Sequence, residues 1–337
     1  MGAAPEPTPG RRLSGARAAM ALFIARRLLW TLVLLVAISA ITFLLFHLLP
    51  AADPAVARAG RQPTPEQVAA IREQLGLDRP WYVQLGDYVR GVFLEFDLGH
   101  SFINEAPVGE LVGDRLPNTL ALIAGAAVVW LLAALVVGTV SATRPGSRAD
   151  RLLMLGALVA ISAPVYWLGL VSLYLFSSDL GVLPLLPGSG AYDTADGVLE
   201  KAGALVLPWI VLATSFAAIY ARLLRSGLRE ALSEDYVRTA RAKGLSERRV
   251  VLAHALPAAV TPLVTVLGMD LGILVGGAIL TETVFGIDGI GRLAFEAVQR
   301  GDLATIQGTT LVLAAAVALM NLVVDLLYAV IDPRVRR

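Results

Sequence analysis

The sequence predicts an all-α polytopic membrane protein with six transmembrane helices and a small helical external subdomain between spans one and two. Three observations carry that prediction. Hydrophobic residues make up 56% of the 337 residues and charged residues only 16%, with a mean hydropathy of +0.70. Soluble domains run nearer about 45–50% apolar and about 25% charged. Long apolar stretches recur along the chain, and the loops between them alternate between arginine-rich and arginine-poor.

A helix needs about 20 mostly apolar residues to cross about 30 Å of hydrocarbon. Stretches free of Asp, Glu, Lys and Arg cover 28–52, 116–143, 152–178, 202–221 and 303–324. The segment 260–280 carries one acid, Asp270, and completes six. Residues 1–20, with Pro5, Pro7, Pro9, Gly10 and Gly15, read as a disordered cytoplasmic tail. Residues 21–50 form the first transmembrane helix. Its apolar run is longer than a signal-peptide core and no clear cleavage site comes after it, so it reads as retained.

Residues 51–115 form the external subdomain. Thr64 and Pro65 read as N-cap and first position of a helix that Gly76 stops, and a second helical stretch covers about 81–93. The alternative is a loose linker. Residues 116–337 are the five-helix core, with a cytoplasmic loop at 225–259. Pro164, Pro208 and Pro262 within spans are tolerated where neighbouring structure satisfies the freed backbone groups.

Loop charge orients the chain. Arginines crowd the N-terminal segment, the loop after span two (Arg144, Arg148, Arg151), the loop after span four and the C-terminus. The loop after span three has only Lys201, and that after span five Arg292 and Arg300. The 51–115 segment carries six arginines and ten acids, but so long a loop weighs little in the positive-inside rule, which then puts both termini in the cytoplasm. Net charge is +1, which argues against a nucleic-acid binder, and no cysteine exists for disulfide, thiolate or zinc-thiolate chemistry.

Enzyme signatures are missing. Lys201 and Lys243 end no Gly-Lys-Ser/Thr motif, so no Walker-type ATP site is encoded. His47, His100 and His254 have no metal-ligand spacing, and no G-x-S-x-G elbow exists. The chain therefore reads as neither enzyme nor metal protein.

The most informative stretch is the loop from Arg222 to Pro262. Ser233 is placed to N-cap a helix, with Glu234 and Asp235 favouring its positive end. Arg241 and Lys243 fall in its last turn and Gly244 supplies the break. Ser246 starts a second short helix through about Ala255, and Pro257 interrupts the chain beyond it. A polar helix–Gly–helix between two spans buries little of itself, and a docked cytoplasmic partner explains it. The competing reading is a solvated basic loop.

The run Asp235-Tyr236-Val237-Arg238-Thr239-Ala240-Arg241-Ala242-Lys243-Gly244-Leu245 resembles the coupling loop of ABC-importer permeases. That pattern reads Glu-Ala-Ala, three residues, Gly, nine residues, Ile-x-Leu-Pro. Here Arg238, Thr239 and Ala240 fill the triplet, Gly244 is correctly spaced, and His254-Ala255-Leu256-Pro257 closes it. Arg238, Thr239 and His254 depart from the general pattern and resemble the peptide-importer branch instead. Further likeness lies in Leu75-Gly76-Leu77-Asp78-Arg79-Pro80, in the run from Gly276 to Phe285, and in Asp332-Pro333-Arg334, so that about residues 21–337 are covered.

The resemblance, closest to the first permease subunit of dipeptide and oligopeptide importers, implies a subunit that passes short peptides inward by alternating access. Its partners would be a second permease, two ATPase subunits and an extracytoplasmic substrate-binding protein. No cofactor is implied in this chain, with ATP and Mg held by the ATPases. Nickel and glutathione importers share the architecture. The coupling residues implied are Tyr236, Arg238, Thr239, Ala240, Arg241, Lys243, Gly244, Leu256 and Pro257. Tyr236 and Ala240, four apart, share a face for docking. Arg238 and Arg241 would meet ATPase carboxylates.

Asp270, mid-span, is either a pathway group for a peptide amino terminus or an interhelical hydrogen-bonding or protonated acid. Glu282 opens the external loop after span five, as a gate or as a solvated acid. Gly272, Gly276 and Gly277 predict close helix packing, and Asn321 and Asp325, four apart in span six, tie helices together. An ion-coupled secondary transporter is the principal competing class, but it predicts internal repeats and paired broken helices, and no convincing repeat exists. An intramembrane enzyme needs a catalytic pair or metal cluster that is not apparent. A receptor or scaffold without transport is the remaining class.

Overall fold

The computed structural model describes residues 9–48, 54–59, 63–74, 76–101, 103–179 and 181–331. It is helical almost throughout. The elements are α1 (Pro9–Leu48), α2 (Pro54–Ala59), α3 (Pro65–Gln74), α4 (Trp81–Arg90), β1 (His100–Ser101), β2 (Ala106–Pro107), α5 (Val108–Thr143), α6 (Arg148–Ser162) and α7 (Val165–Phe176). They continue as α8 (Val198–Ser233), α9 (Asp235–Ala242), α10 (Glu247–Arg249), α11 (Leu256–Phe285), α12 (Ile290–Arg300) and α13 (Leu303–Ile331). Wider π turns come directly after α4 and α10.

Four helices are long and apolar enough to cross a membrane uninterrupted: Ile24–Leu45 within α1, then α5, α8, and Leu303–Val323 within α13. Two bent helix pairs also have the length and composition of a span, so the described residues hold four to six candidate crossings, consistent with the six expected. The stretch 152–178, expected as one span, breaks between α6 and α7 with a bend of 112°. Pro164 is the cause. A proline disfavours the helical region for the residue before it, and here Ala163 is extended at φ −89°, ψ 128°. The 15 residues of α6 and 12 of α7 reach about 22 and 18 Å at 1.5 Å per residue, so neither crosses alone. The other bent pair joins the second half of α11 to α12 at 77°.

Helix α1 starts at Pro9, so residues 9–20, expected in the disordered tail, are helical; Ala and Arg, strong helix formers, dominate Arg11–Ala19. Residues 1–8 and 332–337 lie outside the described residues. Only 6% of the α1 span is buried within the chain, and Leu28, Trp30 and Leu34 face outward. An apolar surface of that extent belongs against lipid or another membrane chain.

The core sits between α5 and α8, the most extensively packed helix pair. Trp130 and Tyr220, both fully buried, meet edge to face at 4.6 Å between ring centroids, a favoured aromatic geometry. Two α5 glycines make the approach possible. A Cβ on Gly125 would lie 2.0 Å from the Trp209 ring, and one on Gly138 would lie 2.9 Å from Ala221 O. The Trp209 indole then reaches Ala121 O at 3.1 Å.

The described residues between α1 and α5 form short helices and the β1–β2 hairpin. Thr64 and Gln67 form a reciprocal capping box at 3.3 and 3.1 Å. Gly76 turns the chain at φ +64°, and Phe43 of α1 stacks on Tyr88 of α4 at 5.8 Å. The β1–β2 hairpin is tied to α13 by Asp302, which accepts from Ser101 at 2.5 Å, Thr305 at 2.7 Å and Asn104 at 3.3 Å. Helix α5 begins at Val108, eight residues before the apolar stretch, so its first two turns precede the span expected from the sequence.

At the opposite end Asp150 is a buried junction. It accepts from both Arg225 nitrogens at 2.8 and 2.9 Å, from Ser141, and from Gly146 N at 2.9 Å. One carboxylate thereby fastens α5, α6 and α8. The hydrogen bond from the Arg225 guanidinium, reinforced by those from Ser141 and Gly146, holds this carboxyl well below the usual range.

Candidate functional site

The loop after α8 folds as a short amphipathic helix braced on the bundle. Ser233 does not cap it. Helix α8 runs through Ser233, whose hydroxyl bonds back to Glu230 O at 2.7 Å, and Glu234 takes the N-cap position. The apolar run of α8 simply propagates its helix past the predicted start. Helix α9 ends as expected at Gly244, with φ +81°. Gly244 N reaches Arg241 O at 2.9 Å and Leu245 N reaches Ala240 O at 3.4 Å, the Schellman pair that a left-handed residue completes.

Burial divides α9 into two faces. Val237 is fully buried and Ala240 is 7% exposed, against the core, whereas Tyr236 is 45% exposed. Ala240 therefore anchors α9 to its own chain and does not share an outward face with Tyr236. Tyr236, Arg238, Thr239 and Lys243 point out. Arg238 pairs only loosely with Asp235, at 3.4 Å with both side chains exposed, an interaction of small worth. Arg241 is engaged within the chain. Its guanidinium holds Glu247 at 2.7 and 3.3 Å and reaches Leu232 O at 3.4 Å. That pairing lowers the Glu247 carboxyl below its ordinary range.

Pro257 does not interrupt the chain. Residues Val250–Ala255 form a π turn in which Leu256 N reaches back five residues to Val251 O, and α11 continues from it. Pro257 lies in the first turn of α11, where its missing N–H is tolerated. Leu256 is half-buried and Pro257 exposed.

In the bundle interior Asp270 of α11 is half-buried. Tyr220 of α8 lies beside it. The buried Tyr220 hydroxyl and Trp130 Nε1 complete no hydrogen bond among the described residues. Three polar groups from α5, α8 and α11 thus gather in an otherwise apolar core.

Glu282 is no solvated loop acid. It is fully buried near the end of α11. Its carboxylate accepts from Thr119 at 2.6 Å and from Arg292 N at 2.9 Å, in the first turn of α12, where a helix favours negative charge. Gly286, at φ +66°, turns the chain there, and a Cβ on Gly289 would lie 2.2 Å from the Glu282 carboxyl carbon. A second set of bonds surrounds this corner: Arg115 to Asp288 at 2.8 Å, Asn118 to Asp288 O at 2.8 Å, and Tyr192 to Asn118 at 3.1 Å.

The predicted packing residues divide. A Cβ on Gly272 would lie 3.0 Å from Val317 of α13, so α11 and α13 approach closely there, while Gly276 faces open space. Asn321 is exposed, and its side chain makes no hydrogen bond among the described residues, so it ties no helices among them. The packing environments of Gly277 and Asp325 lie outside the described residues. Sequence reasoning missed Asp150, Thr119 and Asp302. Their partners stand 75, 163 and 201 residues away, beyond any local spacing.

Fold and loop together define a multi-pass membrane protein that holds a short helix at its polar end by buried contacts. Residues 134–337 match the family described as binding-protein-dependent transport system inner membrane component, and residues 20–123 match its N-terminal companion. The chain belongs to this family, and the likeness drawn from the loop residues holds at that level. It is 42% identical over 336 residues to the "Probable D,D-dipeptide transport system permease protein DdpB" of Escherichia coli K12, covering 93% of this chain and 97% of that one. It is 39% identical over 334 residues to the dipeptide transport system permease protein DppB of Alkalihalophilus pseudofirmus, covering 94% and 100%. A crystal structure of an amino acid ABC transporter aligns over 67% of this chain and 94% of that one at 17% identity, with a TM-score of 0.45.

Proposed function

We propose that this chain is one of two permease subunits of an ATP-driven importer that moves short peptides into the cytoplasm. The observation that carries the reading is α9. Its inner face, Val237 and Ala240, is fixed to the membrane bundle, while Tyr236, Arg238, Thr239 and Lys243 remain exposed. A helix held this way transmits force between a docked partner and the spans. The named relatives, dipeptide permeases matched over nearly their whole length, support peptide cargo.

In this reading two separate ATPase subunits bind and hydrolyse ATP with Mg, and α9 rides in a groove of one of them. ATP binding favours one state of the ATPase pair, and α9 passes that preference to the spans as differential stability of outward- and inward-open forms. An extracytoplasmic binding protein delivers the peptide over the region 51–115. Both termini and the loop 225–259 lie in the cytoplasm. Asp270, beside Tyr220, belongs to the passage and receives the peptide amino terminus. Gly276, which faces open space, lies toward the second permease.

The test is a tagged pull-down in mild detergent, then an ATPase assay with the binding protein present and a panel of short peptides, nickel and glutathione. Co-purified ATPases and a second permease, with peptide-stimulated hydrolysis, are expected. Stimulation by nickel or glutathione alone would keep the machine and refute the peptide cargo. A chain that purifies alone would overturn the reading.

A further inference from the structure

Between the ends of α5 and α8 and the turn 247–252 lies a cavity of about 750 Å³. Its charge is one-sided. Arg144, Arg229 and Arg248 line it, and their side chains make no ion pair or hydrogen bond among the described residues. The other two ionised groups on its wall, Arg241 and Glu247, neutralise each other at 2.7 Å. Three uncompensated guanidiniums around one hollow raise the energy of the empty site and suit a phosphate, which arginine grips in a forked, charge-assisted geometry.

The rest of the wall mixes apolar side chains with the hydroxyl residues Thr139, Thr143 and Ser233. Leu232, Val251 and Leu252 contribute to it, and Leu252 is 47% exposed. Above the cavity α5 carries an outward apolar stripe, Val128, Leu132 and Val136, each more than half exposed. Thr143, seven residues beyond Val136, continues that stripe into the cavity wall. A phosphate cradle at the foot of an apolar stripe matches an amphiphile, not a free ion.

We propose that this cavity binds the headgroup of an anionic phospholipid, with the acyl chains lying along the α5 stripe. The shared ligand chemistry is a phosphate diester, and the stripe selects the lipid source of it. Basic hollows at the cytoplasmic ends of transmembrane helices hold anionic headgroups by these forces. The site rests on the cytoplasmic placement of this end proposed above. The lipid clamps α5 to the 247–252 turn and so bears on the support beneath α9.

The test uses the assembled complex, exchanged into nanodiscs of phosphatidylcholine with a minor share of phosphatidylglycerol, then released into mild detergent for native mass spectrometry. Wild type is expected to retain phosphatidylglycerol. Arg144→Gln/Arg229→Gln/Arg248→Gln should lower retention roughly tenfold to a hundredfold. The corresponding triple Lys variant should keep most of it, as should Arg151→Gln, outside the cavity. Inorganic phosphate at matched ionic strength should not displace the lipid. Equal retention in wild type and the triple Gln variant would overturn the proposal, as would displacement by inorganic phosphate. Loss of ATPase co-purification with lipid retention unchanged would also overturn it, reassigning the arginines to a protein partner. Because retention is read on the complex whatever its cargo, failure here is distinct from failure of the peptide reading.

Discussion

The hydroxyl of Thr119 on α5 donates to the buried Glu282 of α11 at 2.6 Å and accepts from Ile290 N of α12 at 2.8 Å. One hydroxyl therefore joins three helices at the corner where α11 turns into α12. Thr119→Val keeps the shape and leaves both a buried carboxylate and a buried N–H short of a partner. Losing a partner in this way costs about 1–3 kcal/mol. The variant should melt at lower temperature in detergent, while Thr119→Ser stays near wild type. Equal melting of the Val variant and wild type would remove the clip from the account.

Asp150 gives a pH prediction. Its carboxyl is held below the ordinary range by Arg225, so the folded form binds its proton less readily than the unfolded form. The contribution to stability is full above about pH 4, the ordinary carboxylate range, and falls away only as pH drops through the depressed folded value. Asp150→Asn should therefore lower the melting temperature at pH 7, with the gap to wild type unchanged down to about pH 5. A gap that closed between pH 7 and pH 5 would contradict the assignment.

Tyr236 and Val237 are adjacent in sequence and opposite in role. Tyr236→Ala removes an exposed side chain and should change stability by less than about 0.5 kcal/mol, yet weaken ATPase capture by tenfold or more, as loss of an aromatic anchor does. Val237→Asp places a charge in the core and should destabilise the permease itself. Titration of ATPase onto the reconstituted permease, beside a melting curve, separates the two. Unchanged capture by Tyr236→Ala would deny it a docking role.

Asp270→Asn keeps size and removes charge. If Asp270 receives a peptide amino terminus, uptake of free dipeptides should fall several-fold while uptake of N-acetylated ones changes little. A variant that carries both peptides at the wild-type rate would leave Asp270 as a packing group beside Tyr220.

Much of this architecture is legible in the sequence because the bilayer imposes a simple pattern. Apolar length gives the spans, and the Thr64 and Gly244 turns arise from local chemistry. Pro164 is visible as a residue, but the size of its bend depends on what packs on each arm. Ser233 misleads, because a cap signal yields to a helix already propagating through it. Ala240 shows the limit of spacing. Its distance from Tyr236 is right for one face, but α9 is rotated by its contacts, and burial places the two apart. Asp150 and Asp302 bind partners brought close only by tertiary structure, and no periodicity announces them.

In the proposed function α9 couples ATP hydrolysis to passage through the spans. Gly244 tests it most directly. Its left-handed φ of +81° ends α9, and a Cβ there would meet nothing within 4 Å. Substitution thus strains the turn without disturbing packing, at about 1–2 kcal/mol for an L residue. The measurement is ATP-driven peptide uptake into proteoliposomes by the assembled complex, wild type against Gly244→Leu, with ATP hydrolysis recorded in parallel. Uptake should be lost while the spans remain folded and hydrolysis no longer responds to peptide. Normal uptake by Gly244→Leu would contradict it.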